Sequence, residues 1–201
     1  MLIHSYVNSS YVNGPGNRFV LWTQGCSKGC KNCYNPETWN KNGFEYKIEH
    51  LIDLIKISDV DGLTISGGDP LEQPDELLKF LKEVHKLNLK KGIILFTGYT
   101  IFEIHNMGGN ILKCLEYIDV LIDGRYEEDK RTYQGLYGSS NQNVYHLSSK
   151  IWIDELNIDQ EIEINFYNNN VILTGFPVSF GKELNRLGLN LNGNRRVVET
   201  G

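Results

Sequence analysis

Three cysteines lie close together near the start of the chain, in the segment TQGCSKGCKNCYNPETW at 23–39. Cys26, Cys30 and Cys33 are separated by three and two residues, and the apolar run FVLW at 19–22 just before them is typical of a strand. A [4Fe-4S] cluster held by only three cysteines keeps one iron without a protein ligand, and that iron can bind a small molecule. The spacing therefore predicts an iron–sulfur cluster with an open coordination position.

Two other uses of these cysteines stay open on spacing alone. A structural zinc site takes four ligands, usually as two separated pairs, whereas the fourth cysteine, Cys114, is distant in sequence and has no cysteine beside it. A histidine such as His4 would have to complete a zinc site, and a redox-active group of thiols is the other alternative. Cys114 itself lies in an apolar segment, so we expect it to be a buried core thiol.

The composition excludes several classes of partner. With 20 Lys and Arg against 25 Asp and Glu, the net charge is −5, and no dense basic run offers a surface for nucleic acid. No apolar stretch approaches the roughly twenty residues that cross a bilayer, so no membrane is expected. Four cysteines without the basic and apolar regions of a signal peptide favour a reducing compartment, and we therefore expect a cytoplasmic protein.

The chain alternates between predicted strands and predicted helices. Apolar runs at 19–22, 62–66, 93–96 and 118–122 are the strands, and amphipathic patterns at 46–57, from Pro74 to Leu87 and at 101–117 are the helices. This alternation predicts βα units and a parallel sheet of the α/β class. The runs end in Thr-Gln-Gly, Ser-Gly-Gly, Thr-Gly and Asp-Gly, and because ligand sites lie at the carboxyl ends of parallel strands, these ends should face one pocket.

The second part of the chain differs in composition. Residues 125–140 are polar and rich in glycine, which predicts a functional loop or lid, and 143–147 predicts one further strand. Alternation at 161–166, the asparagines at 168–170 and the apolar run at 171–174 predict an antiparallel hairpin, followed by a loosely ordered tail after Leu187. We therefore divide the chain into a core domain at 1–150 and an extension at 151–201.

Six short strings occur in an order and at spacings that are known from one superfamily. They are VNGPG (12–16), GCSKGCKNCYNPETW (25–39), SGGDPL (66–71), TGY (97–99), DGRY (123–126) and GSSNQ (138–142). On these strings the chain resembles the radical S-adenosylmethionine (SAM) superfamily, and more narrowly the activating proteins of anaerobic ribonucleotide reductases, over about residues 1–147. It differs from them at Tyr137, where a basic residue is usual, and in the more than fifty residues after GSSNQ.

The resemblance implies a fold and an activity. The fold would be an incomplete, TIM-like βα barrel of the radical SAM type, here with a C-terminal extension that contains a hairpin. The activity would be the reductive cleavage of SAM at a [4Fe-4S] cluster, which generates a glycyl radical on a partner enzyme. The implied partners are a glycyl-radical enzyme as protein substrate and a flavodoxin- or ferredoxin-like electron donor.

The resemblance also implies roles for individual residues. Cys26, Cys30 and Cys33 would hold three irons, and the fourth iron would bind the amino and carboxylate groups of SAM. The residues expected around SAM are Asn32, Tyr34, Gly67, Gly68, Asp69 and Thr97, with Tyr99 and Asp123 also at strand ends. The glycines would let the backbone approach the methionine moiety, while Asp69 would either contact SAM or cap the following turn.

Two features of the sequence allow more than one interpretation. Lys28 and Lys31 carry charge on the cysteine loop, and we interpret them as solvated charges or as a docking surface for the reductant. The alternatives to glycyl-radical activation are a radical SAM enzyme that acts on a small molecule or peptide, similar to a deazaguanine synthase, and a non-enzymatic electron carrier or metal-stabilised binding module. The Gly-Gly-Asp-Pro loop argues against the last class, because a simple carrier does not need it.

Overall fold

The computed structural model describes residues 1–157, 159–167 and 170–175. The tail after Leu187, for which the sequence predicts loose order, lies outside the described residues. Within them the chain forms one large sheet with helices packed on one face, and a separate two-stranded hairpin.

The large sheet has seven strands, in the spatial order β3-β1-β2-β4-β5-β6-β7. They are β1 (Leu2–Val7), β2 (Arg18–Thr23), β3 (Phe44–Glu45), β4 (Gly62–Gly67), β5 (Ile93–Phe96), β6 (Val120–Asp123) and β7 (Asn143–His146). The four central strands β2, β4, β5 and β6 are parallel, and β1, β3 and β7 pair antiparallel at the two sides. The prediction of a mixed α/β fold with a parallel sheet is therefore confirmed, while the sheet is open in the described part of the chain and does not close into a barrel.

In the part of the chain that the structure describes, four α-helices cover one face of this sheet. They are α1 (Ile48–Ile57), α2 (Pro74–His85), α3 (Ile101–Met107) and α4 (Gly109–Cys114). Pro74 begins α2 at a position where its missing N–H costs nothing, and a capping box between Thr100 and Glu103 begins α3. The helices bury Leu77, Leu81 and Ile104 against the sheet, and the same core contains Cys114, as expected of a structural thiol.

The opposite face of the same strands carries the alternate side chains, because successive residues of a strand point to opposite faces. This pocket face is formed by Val20, Trp22, Thr64, Ser66, Ile94, Phe96, Val120 and Ile122. Ile151 and Leu156 pack against Ile94, Val120 and Ile122 in a second apolar cluster. The segment after β7 is thus part of the core that covers the pocket face.

A hairpin comes next in the chain, in the arrangement that the alternating pattern predicts. Its strands are β8 (Ile162–Tyr167) and β9 (Asn170–Gly175), paired antiparallel. Two contacts join it to the turn between β1 and β2. Asn13 Nδ2 donates to Thr174 Oγ1 at 2.7 Å, and the backbone N–H of Tyr11 donates to Glu163 Oε1 at 3.2 Å.

Arg18, at the start of β2, is a fully buried charge that ties the central strands together. Its guanidinium donates to Thr64 Oγ1 at 2.7 Å and to four backbone carbonyls, those of Pro15, Leu63, Lys91 and Gly92, at 2.6–3.1 Å. Burial lowers the pKa of this guanidinium to about 9, although the carboxylates of Asp119 and Asp61 act in the opposite direction. Buried carbonyl groups need hydrogen-bond donors, and water does not reach these carbonyls. Arg18 supplies the donors instead.

We expect Arg18→Met to lower the free energy of unfolding by more than about 3 kcal/mol, because it leaves several buried carbonyls without a donor. Chemical denaturation of the purified protein measures this loss. Arg125→Met is the control, since that exposed side chain makes one ion pair, 3.5 Å from Glu103, and should change stability by less than about 1 kcal/mol. Equal losses in the two variants would contradict the structural role of Arg18.

Candidate functional site

The carboxyl ends of the central strands surround one pocket. It contains about 1010 Å³ of space, part of it open to solvent, which is at the upper end of the about 300–1,000 Å³ typical of small-molecule sites. Its lining includes Cys26, Cys30 and Cys33 after β2, Gly67 and Gly68 at the end of β4, Thr97 and Gly98 after β5, and Gly124 and Tyr126 after β6. The prediction that the four strand ends face one pocket is confirmed.

Hydrogen bonds within the protein hold the base of the cysteine loop, independently of a metal. The backbone N–H of Gly25 donates to Thr38 O at 2.7 Å, and that of Cys26 donates to Trp39 O at 3.1 Å. The buried amide of Gln24 donates from Nε2 to the backbone oxygens of Glu37 and Asn40. These contacts fold the segment after Cys33 back onto the residues before Cys26 and so close the loop.

Backbone N–H groups act on the three thiols. Cys33 accepts a hydrogen bond from the N–H of Asn35 at 3.4 Å, and the N–H groups of Lys28 and Tyr126 act to lower the pKa of Cys26 and of Cys30. Burial raises the pKa of Cys26 to about 11 and also raises the pKa of Cys30, so these two thiols are protonated at neutral pH when no metal is bound. A bound metal deprotonates its thiol ligands, and the same N–H groups then stabilise the thiolates.

The glycine pair at the end of β4 lies directly against the base of the cysteine loop. The N–H of Gly68 donates to Thr23 O, and the N–H of Asp69 donates to Gly25 O, both at 2.8 Å. A Cβ on Gly67, which has φ +108°, would lie 2.4 Å from Thr23 N, and a Cβ on Gly68 would lie 2.3 Å from Gly25 O. Only residues without a side chain permit this contact.

Asp69 is buried beneath the pocket and its carboxylate bonds to the protein itself. It accepts hydrogen bonds from Leu71 N at 3.1 Å, Thr97 Oγ1 at 2.8 Å and Gly98 N at 3.0 Å. Burial raises the pKa of this carboxyl to about 6 in spite of these bonds. Of its two expected roles, the structure shows the contacts of the turn cap, and Asp69 is not among the residues that line the pocket.

The other expected SAM residues divide into two groups. Tyr34 and Thr97 line the pocket, and the ring of Tyr34 meets that of Tyr126 edge to face with centroids 4.9 Å apart. Asn32 is exposed outside the pocket lining, with φ +53°, and its amide donates to Glu128. Asp123 is also outside it, because its carboxylate holds the N–H of Ile101 and the amide of Asn143.

The interpretation of Lys28 as a solvated loop charge is wrong. Its side chain is 7% exposed, its Nζ lies 3.2 Å from the centroid of the Tyr99 ring and 3.4 Å from Glu72 Oε1, and it lines the pocket. Burial acts to lower the pKa of Lys28. Its hydrogen bond to Tyr99 and the nearby carboxylates of Asp69 and Glu72 together have the larger effect, so the pKa is raised. Lys31, one residue after Cys30, is exposed as expected.

Several residues that line the pocket are missing from the set inferred from the sequence. They are Asn13, Trp22, Asn35, Thr64, Ser66, Phe96, Gly98, Gly124, Tyr126, Gly138, Gln142, Thr174 and Gly175. Trp22, Ser66 and Phe96 could have been found from the strand alternation once the pocket face was known. Thr174 and Gly175 carry no such signal, because nothing in a predicted hairpin indicates which surface it covers.

The zinc alternative finds no support in the placement of His4. Its Nδ1 lies 2.9 Å from Gln24 Oε1, and His4 is not among the residues that line the pocket. In residues 1–157, 159–167 and 170–175, no group of three or more His, Cys, Asp and Glu side chains is gathered closely enough to hold a single metal ion.

Among the same residues, every helix is too short or too polar to span a bilayer.

Known proteins are similar in sequence to a large part of this chain. A family model described as a 4Fe-4S single cluster domain matches residues 12–145. The anaerobic ribonucleoside-triphosphate reductase-activating protein of Enterobacteria phage T4 is 36% identical over 148 residues, which cover 71% of this chain and 92% of that protein. The proteins of the same name from Escherichia coli K12 and Vibrio cholerae are 34% and 35% identical, over 73% and 74% of this chain and 99% of each relative.

The fold and the site together define a mixed α/β protein with a single-cluster [4Fe-4S] domain. Three thiols in one pocket suit such a cluster, and the match in sequence covers most of the strands and loops that form the pocket. The chain belongs to the family of anaerobic ribonucleoside-triphosphate reductase-activating proteins.

We expect Gly68→Ala to disrupt assembly of the cluster, because the added Cβ must displace the backbone at Gly25, directly before Cys26. Iron content after anaerobic reconstitution should fall well below the about four irons of an intact cluster. Gly29→Ala is the matched control on the same loop, since its Cβ would meet nothing within 4 Å and the cost is limited to its φ of +59°. Full iron content in Gly68→Ala would show that the close approach is not required.

Proposed function

We propose that this chain is a radical SAM activating enzyme that generates a glycyl radical on an anaerobic ribonucleotide reductase. The observation that carries the proposal is the meeting of Cys26, Cys30 and Cys33 with the backbone of Gly67 and Gly68 in one pocket at the ends of parallel strands. The names of the relatives, which are activating proteins of such reductases, support the choice of partner.

The chemistry comes from the cofactors, and the protein binds and orients them. A bound and reduced cluster would supply one electron for the cleavage of SAM to methionine and a 5′-deoxyadenosyl radical, and this radical would take a hydrogen atom from a glycine Cα of the partner to give 5′-deoxyadenosine and the glycyl radical. In this chain Cys26, Cys30 and Cys33 would hold three irons. Gly67 and Gly68 line the pocket and would place their backbone against the methionine end of SAM, while their missing side chains allow the close contact with the base of the cysteine loop.

Other residues would act on the nucleoside side of the pocket or through their neighbours. Tyr34 and Thr97 line the pocket and would contact SAM directly. We assign Asp69 as a positioning residue, because its carboxylate fixes Thr97 and the N–H of Gly98. Asn32 would hold the loop after Cys30 to the 3-10 turn at Glu128–Lys130 through its bond to Glu128.

The finer description of the fold belongs to the same proposal. The four parallel strands with helices on one face and a pocket on the other would be the incomplete TIM-like βα barrel of radical SAM enzymes. An open sheet supports this, because a loop of a large partner needs a side from which to enter. The electron donor would be a flavodoxin- or ferredoxin-like protein, and the cytoplasm would supply the reducing conditions that free thiols require.

We also propose that residues 1–150 are the radical SAM core and that 151–201 is an extension to it. The relatives support this division, since 92–99% of their length matches only 71–74% of this chain. A chain that ends after Gln160 keeps Ile151 and Leu156 in the core and should retain its iron and its SAM-dependent spectrum. Loss of the cluster from this shortened chain would show that the hairpin belongs to the core.

We expect the reconstituted protein to bind about four irons, and its reduced cluster to give an electron paramagnetic resonance (EPR) signal that changes when SAM is added. Cys30→Ala should abolish cleavage of SAM, measured as 5′-deoxyadenosine, because it removes an iron ligand. Cys114→Ala should leave cleavage intact, since that thiol is buried among the helices and remote from the pocket lining.

Two results would contradict the proposal. An EPR signal that SAM does not alter would exclude both radical SAM hypotheses, and equal loss of cleavage in the two cysteine variants would show that the ligands are wrongly assigned. Incubation of the reduced protein with SAM and an anaerobic reductase should produce the doublet of a glycyl radical. Cleavage of SAM without that doublet would agree with the proposed cofactor site, but it would show that the radical acts on a substrate other than the reductase.

A further inference from the structure

Lys28 lies on the cysteine loop, between the first two cysteines, and its charge is directed into the protein rather than into water. The side chain is 7% exposed, and its ammonium lies 3.2 Å from the centroid of the Tyr99 ring. A Cβ on Gly98 would come within 3.0 Å of Lys28 Cγ, so the alkyl part of the side chain also packs against the end of β5. Burial of a cation beside three thiols costs free energy unless a partner compensates for it.

Glu72 is that partner, and it binds the cysteine loop at more than one point. Its Oε1 lies 3.4 Å from Lys28 Nζ, accepts hydrogen bonds from the N–H and the hydroxyl of Ser27, and lies 3.4 Å from the hydroxyl of Tyr99. The Glu72 side chain is 18% exposed. A pair of opposite charges therefore joins the cysteine loop to the turn after β4, largely out of water.

Both charges lie close to the thiols in the fold. Lys28 lines the same pocket as Cys26, Cys30 and Cys33, and Glu72 is hydrogen-bonded to Ser27, the residue directly after Cys26. A carboxylate in this place opposes the negative charge that a cluster gains on reduction. A cation in the same place favours that charge, and both effects are strong where water is excluded.

We propose that Lys28 and Glu72 form a partly buried ion pair that tunes the reduction potential of the cluster bound by Cys26, Cys30 and Cys33, with Lys28 raising the potential and Glu72 lowering it. The inference rests on the proposed function for the presence of the cluster. It assigns to Lys28 and Glu72 a role as positioning and tuning residues, since neither is a ligand of iron.

The test is a redox titration followed by EPR on the reconstituted full chain without SAM, so that neither activity nor a partner enters the result. Lys28→Met should shift the midpoint potential to lower values, and Glu72→Gln should shift it to higher values. Glu72→Gln is nearly isosteric and keeps an oxygen for Ser27, so it remains informative if Lys28→Met fails to fold. Lys28→Arg keeps the charge and should restore a potential close to that of the parent chain.

Lys31→Met is the matched control, because Lys31 is on the same loop next to Cys30 but is exposed, where water and salt screen its charge. It should shift the potential much less than Lys28→Met does. The double variant Lys28→Met with Glu72→Gln removes both charges, and its potential should return toward that of the parent chain.

Shifts of the same sign in Lys28→Met and Glu72→Gln would overturn the proposal, since they would reflect loosening of the loop and not charge. A shift in Lys31→Met as large as that in Lys28→Met would overturn it as well. A parent chain that assembles no cluster would instead contradict the proposed function. Iron content is therefore measured for every variant, and the two failures are distinguishable.

Discussion

The site depends on one close approach, between the end of β4 and the backbone just before Cys26. Strands β2 and β4 are parallel and in register from Arg18 opposite Gly62 to Thr23 opposite Gly67, so their ends reach the same level of the sheet. Two hydrogen bonds then continue the pairing beyond the strands, from Gly68 N to Thr23 O and from Asp69 N to Gly25 O. The cysteine loop is thus placed by sheet hydrogen bonding and not by the metal alone.

This constraint explains the order of residues in Ser-Gly-Gly-Asp-Pro. Gly67 and Gly68 must lack side chains because each faces backbone at 2.3–2.4 Å, and Asp69 comes next, where the chain turns away, with its carboxylate capping the turn that begins at Pro70. The same carboxylate binds Thr97 and Gly98, so the loops after β4 and β5 are fixed to each other. Three consecutive residues therefore hold together the three strand ends that form most of the pocket.

Features that depend on local pattern could be predicted from the sequence, and features that depend on distant contacts could not. Strand β5 and the C-terminal end of α1 lie where the apolar runs indicate, and the pocket lies where the small polar residues end the strands. The prediction for Lys28 is wrong because the burial of a lysine depends here on Glu72 and Tyr99, which are more than forty residues away and carry no periodic signal. The contact partners of Asp69 escaped prediction for the same reason, since its bond to Thr97 joins two separate βα units.

The hairpin of β8 and β9 adds residues to the lining of the pocket. Thr174 is almost fully buried and lines the pocket with Gly175, and it is held by Asn13 of the Asn-Gly-Pro-Gly turn. The matched relatives, at 92–99% of their own length, cover only 71–74% of this chain, whereas Thr174 lies close to the end of the described residues. A molecule that enters this pocket therefore meets β9 as well as the cysteine loop, and β9 lies beyond the residues that the family model matches. Under the proposed function, contacts with β9 would restrict which glycine-bearing loop can enter, because such contacts discriminate between partners by what they exclude.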